Sequence, residues 1–155
     1  MTRIMKERWD ANNDKLRAVL AERTDLNECA YEYLVKLTFE TIYNTSVTSL
    51  DRKLDLERIT VVDNGDYQGT LLFLIPFDTY QPSEHEYIMT YIGYGSCSVC
   101  DALQGVQSWD NYDKKKPTEG QLDDFMGICR DLICNAIKPY NSGWREDENW
   151  LPAEF

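Results

Sequence analysis

The chain has 155 residues, 43% of them hydrophobic and 12% aromatic, and a formal net charge of -11. This length suits a single domain over residues 1–155 that buries about two-thirds of its unfolded surface, and the composition excludes intrinsic disorder. No apolar run approaches the roughly 20 residues of a membrane span, and Met1–Arg8 lacks the apolar core of a signal peptide, so a cytosolic protein is expected.

Residues 3–22 read as a first helix, with Trp9, Leu16, Val19 and Leu20 on one stripe. Thr24 is the expected cap of a second helix running to about Asn44. Ala30, Tyr33, Leu34 and Leu37 line one side of it, and Val35, Phe39 and Ile42 another, which predicts a central position. Thr45–Leu56 is a polar connector that Leu50, Leu54 and Leu56 can dock.

Three strands follow. Arg58–Asp63 and Tyr67–Ile75 flank Asn64-Gly65, a hairpin signal because both positions tolerate positive φ. Pro76 ends the second strand, and Phe77–His85 is a loop with Tyr80-Gln81-Pro82 at its tip. Glu86–Tyr94 is the third strand. A third helix is expected from near Val99 to about Trp109, capped by Ser96 or Ser98. Thr118 and Gln121 form a capping-box pattern at the start of a fourth helix. Its stripe is Leu122, Phe125, Met126, Cys129, Leu132, Ile133, Ala136 and Ile137, and Lys138-Pro139 stops it. The tail 140–155 holds Trp144, Trp150, Leu151 and Phe155; it either docks on the domain or binds a partner. The order ααβββαα predicts an α+β fold, a three-stranded antiparallel sheet packed with about four helices.

Charge is distributed unevenly. Residues 1–23 carry six basic side chains against four acidic ones. From Ile59 to Asp113 there is no Lys or Arg, yet there are eight acids and six of the ten tyrosines. Phosphate contacts need cations, so direct nucleic-acid binding through this region is not expected. The plain reading of the acids is solubility. The functional reading is a surface for a basic protein, with Asp78, Tyr80, Glu84, Glu86, Asp110 and Tyr112 as the expected contacts.

Cys97 and Cys100 form the most distinctive motif. Five cysteines is an odd number, which argues against a disulfide framework. Three readings of the C-x-x-C pair stay open: two packed cysteines, half of a structural zinc site, or a redox dithiol. Of these, a zinc ion held by Cys97 and Cys100 is the expectation, with Cys134 and Asp131 as the preferred further ligands and His85, Cys29 and Asp101 as the remaining candidates. Cys129 and Cys134 are five apart on a helix, about 140° around it, and cannot serve as a ligand pair together. His85 is the only histidine; flanked by Glu84 and Glu86, it reads as solvated or as a metal or pH-sensitive contact. There is no nucleotide-binding loop and no legible Ser/His/Asp triad, so no enzyme is expected.

Asp66-Tyr67-Gln68-Gly69-Thr70, Asp78-Thr79-Tyr80-Gln81-Pro82-Ser83-Glu84 and Tyr94-Gly95-Ser96-Cys97-Ser98-Val99-Cys100-Asp101 together resemble a family of small acidic proteins encoded by bacteriophages and prophages. The resemblance covers about Asp63 to Gln107, and its signature is Tyr-Gly-Ser-Cys-Ser-x-Cys-Asp. It implies a phage accessory protein in the cytoplasm of a bacterial host. Proteins of this size and charge include inhibitors of host defence, among them anti-CRISPR proteins that block a nucleic-acid-binding nuclease.

Overall fold

The structure, a computed structural model, describes residues 3–46, 52–107 and 116–137. Four α-helices and three strands are present among them: α1 (Arg3–Ala21), α2 (Tyr31–Ile42), β1 (Thr60–Asp63), β2 (Gly69–Pro76), β3 (Tyr87–Tyr94), α3 (Ala102–Val106) and α4 (Glu119–Cys134). The fold is α+β in the expected order ααβββαα. The strands form one antiparallel meander, β1-β2-β3.

Helix α2 is central, as its two apolar sides predict. It buries Tyr31, Leu34, Val35, Phe39 and Ile42, and α1 and α4 both pack on it. It starts at Tyr31 and not at Thr24. A short 3-10 turn, Leu26–Glu28, precedes it, and Cys29 and Ala30 are extended. Arg23 grips both oxygens of Asp25, at 3.0 and 2.7 Å, so that carboxylate caps nothing. At the other end Asn44 is buried and bonds both ways with Leu54, donating to its carbonyl (3.1 Å) and accepting its N–H (2.8 Å). This fastens the 52–56 segment, where Leu54 and Leu56 are buried. Leu50 lies outside the described residues, as do Trp109, Lys138-Pro139 and the tail 140–155.

The hairpin between β1 and β2 forms, with Asp63 opposite Leu71 and Thr60 opposite Leu74. Its loop spans 64–68, longer than a two-residue turn. The Asn64 side chain accepts the Thr70 N–H at 2.8 Å and so closes the loop from within, leaving Tyr67 outside the ladder. Gly65 is required there, because a Cβ would lie 2.2 Å from the Gln68 carbonyl oxygen. On the core face of the sheet Phe73, Ile75, Ile88 and Thr90 are fully buried.

Helix α4 carries the expected capping box between Thr118 and Gln121. It packs on the sheet through Leu132, whose carbonyl accepts the buried Thr90 hydroxyl at 2.6 Å. The helix ends at Cys134, earlier than the stripe predicts. Ile137 instead exchanges two 2.8 Å backbone hydrogen bonds with Met89 on the edge of β3, which draws the chain out of the helix. No helix among the described residues is long and apolar enough to cross a membrane.

Candidate functional site

The two ends of the sheet hold the residues that the sequence singles out. One end gathers the 64–68 loop, the end of β3 and the Cys97–Cys100 turn; it is called here the thiol end. The other is the 77–86 loop between β2 and β3, called here the tip.

At the thiol end the cysteines precede a helix and do not open one. Residues 96–100 form bends and a turn, and α3 begins only at Ala102. Its cap is Asp101, whose carboxylate accepts the Gln104 N–H at 3.0 Å, so neither Ser96 nor Ser98 is needed. Asp101 is buried and has further partners. It accepts the Tyr31 hydroxyl at 2.9 Å and the Gly95 N–H at 3.3 Å. The Tyr31 oxygen in turn accepts the Leu103 N–H at 3.0 Å. A buried carboxylate is thus satisfied from three directions, and it ties the turn to the central helix.

Above this base the Cys97 carbonyl accepts the N–H groups of Cys100 and Asp101, at 3.0 and 2.9 Å. Gly95 presses directly under Cys100; a Cβ at Gly95 would lie 2.5 Å from the Cys100 carbonyl oxygen and 2.6 Å from its sulfur. The two sulfurs are 2.8 Å apart, and both residues are exposed. The Cys100 thiol, then the backbone N–H groups of Val99 and Cys100, hold the Cys97 thiol below the ordinary thiol range. These local donors take the place of the helix dipole that the motif suggests. Burial pushes Cys29 and Cys129 each up to about 12.

Asp131 and Cys134 do not join Cys97 and Cys100. Cys134 lines a groove of about 630 Å³ between α1 and α4, with Trp9, Met126 and Arg130, and Asp131 is exposed near the end of α4. Among the described residues no group of three or more His, Cys, Asp or Glu side chains is placed to hold a metal ion. Cys97 and Cys100 supply two thiolate ligands, whereas structural zinc sites take four ligands.

The surface around the thiols is acidic and apolar. Asp63 accepts the Tyr94 hydroxyl (2.7 Å) and the Gly65 N–H (3.0 Å), and Asp66 is exposed beside them in sequence. Among the described residues no Lys or Arg pairs with Asp63 or Asp66. Tyr67 is 84% exposed and Val99 95%.

The tip is different. Asp78 and Glu84 are exposed, and Tyr80 is fully so. Glu86, however, is occupied within the chain. Its carboxylate accepts the Ser83 N–H at 3.0 Å and pairs with Arg52. Ser83 first, and then Arg52, hold the Glu86 carboxyl below its usual range. Arg58 donates to the Thr79 carbonyl at 2.6 Å while pairing with Asp55, and the Asp78 N–H donates to the Lys53 carbonyl at 2.8 Å. Cations absent from 59–113 in sequence therefore return to the tip in space. Asp110 and Tyr112 lie outside the described residues.

The chain matches no family model, no curated protein and no solved structure.

Tyr31, Gly95 and Asp101 as the frame of the thiol turn escape a reading by motif. One signal was present: Asp101 with Gln104 three residues on has the spacing of a capping pair directly before Ala102-Leu103.

Proposed function

We propose that this chain is a non-enzymatic binding protein that presents an acidic, tyrosine-bearing surface to a basic, nucleic-acid-handling protein. The observation that carries the reading is the thiol end. There Asp63 and Asp66 are exposed at the same end of the sheet as Tyr67 and Val99, with no cation paired to either acid among the described residues. Acids of this kind steer a basic partner during encounter, and exposed tyrosine supplies contact area at low entropy cost. Asp78, Tyr80 and Glu84 at the tip form a second, weaker patch, because Arg52 and Arg58 lie among them. The bacteriophage setting, and inhibition of a host nuclease in the manner of anti-CRISPR proteins, rest on the resemblance of residues 63–107 alone.

The test uses the full chain as bait in a bacterial lysate at low and high salt, beside an Asp66→Lys, Asp78→Lys, Glu84→Lys variant. A recovered nucleic-acid-binding protein that is lost from the variant, and whose nucleic-acid binding the wild type blocks, supports the reading. A partner held equally by both chains overturns it.

A further inference from the structure

We propose that Cys97 and Cys100 form a thiol–disulfide exchange site whose substrate is a low-molecular-weight disulfide. Four observations converge on this pair. Both residues are exposed, so an external disulfide can reach them. Their sulfurs stand 2.8 Å apart, so closing a bond of about 2.05 Å needs a shift of under about 1 Å. The turn beneath them is braced through Asp101 and Tyr31 to α2, and does not depend on the sulfur–sulfur contact. Gly95 leaves the space that the Cys100 sulfur occupies, which a Cβ would close at 2.6 Å.

Either sulfur can donate across the 2.8 Å contact; the Cys100 thiol and the N–H groups of Val99 and Cys100 lower the Cys97 thiol, so Cys97 is assigned the first attack. Its thiolate bonds to one sulfur of the external disulfide, whose own bond breaks, and the far half leaves as a thiolate that takes up a proton. Cys100 then loses its proton and attacks the Cys97 sulfur. This displaces the second half as a thiol and leaves the Cys97–Cys100 disulfide. Two protein thiols are oxidised, one external disulfide is reduced to two thiols, and two electrons and two protons pass to it. Cys29 and Cys129 stay out of the exchange at neutral pH, because burial suppresses their thiolates.

The probe is a series of mixtures of reduced and oxidised glutathione, applied to the full chain alone, so the outcome is independent of any protein partner. After acid quench, alkylation and trypsin digestion, residues 59–114 form one peptide whose only cysteines are Cys97 and Cys100. The expected result is a peptide two hydrogens lighter and closed to alkylation, appearing in a single two-electron transition as the mixture becomes more oxidising. Cys100→Ser should instead accumulate one glutathione on Cys97. Three results would each overturn the proposal: a peptide that stays fully alkylated in oxidised glutathione while circular dichroism shows the fold intact; two glutathiones on the wild-type peptide with no internal disulfide; or a chain purified with one zinc whose thiols do not react with oxidised glutathione until a chelator removes the metal.

Discussion

The two ends of the sheet are built on opposite principles. The thiol end rests on a buried carboxylate: Asp101 takes N–H and O–H donors from Gly95, Gln104 and Tyr31. The tip rests on exposed charge pairs: Arg52 with Glu86, and Arg58 with Asp55. A buried, fully satisfied group is costly to break, because its partners are stranded away from water. An exposed ion pair is worth little, because solvent already screens it. A buried, braced platform therefore lies under the thiol pair and the acids beside it in the fold, and solvent-facing ion pairs hold the loop at the other end.

The largest expected effect comes from removing the platform. Asp101→Ala strands the Tyr31 hydroxyl and the Gly95 N–H, at roughly 1–3 kcal/mol, and removes the cap of α3, at about 1 kcal/mol. Denaturant unfolding should show a clear fall in midpoint, whereas Glu86→Gln at the tip should barely move it. Equal shifts would dissolve the contrast. Next in size is Gly95→Ala, which forces a methyl against Cys100 and should cost about 1–3 kcal/mol by overpacking. It should also slow formation of the Cys97–Cys100 disulfide, measured by alkylation against time.

A smaller effect is expected from single charge reversals on a partner's association rate. Asp66→Lys should slow association more than Glu84→Lys, since the tip already contains cations. The reverse order would move the contact to the tip. The smallest effect is a pH response at the tip. The Glu86 carboxyl is held down by Ser83 and Arg52, and the Asp55 carboxyl by Arg58. A lowered folded value means that stability is present above the ordinary carboxylate range, about 3.9–4.3, and is lost as pH falls through the folded value. Amide exchange at Ser83 should therefore stay slow through the ordinary carboxylate range, about 3.9–4.3, and rise only as pH falls below it.

Much of the fold was legible because its signals are local. The capping box of Thr118 and Gln121, the Asn64-Gly65 hairpin signal and the two apolar sides of α2 each depend on a few neighbouring residues. The errors arise where a distant or competing partner wins. Arg23 takes the Asp25 carboxylate from its expected helix. The backbone of Met89 takes Ile137 from the end of α4. Asp101 outcompetes two serines as a cap because it is charged and reaches Tyr31, 70 positions away in sequence. The candidate site divides in the same way. The C-x-x-C pair and the run without cations are visible in the sequence. That Arg52 and Arg58 fold back over the 77–86 loop is a tertiary fact, and it shifts the barest acidic surface to the opposite end from Asp78 and Glu84.

The most direct test of the acidic surface as the binding face is the salt dependence of a recovered partner's association rate. It should be measured for wild type and for the Asp66→Lys, Asp78→Lys, Glu84→Lys variant. The rate should fall steeply for wild type between about 0.1 M salt, where charges act over about 10 Å, and about 1 M, where they act over about 3 Å. The variant should be slow throughout, with little salt dependence. A wild-type rate that is flat across this range, or a variant with the wild-type slope, would contradict binding through these carboxylates.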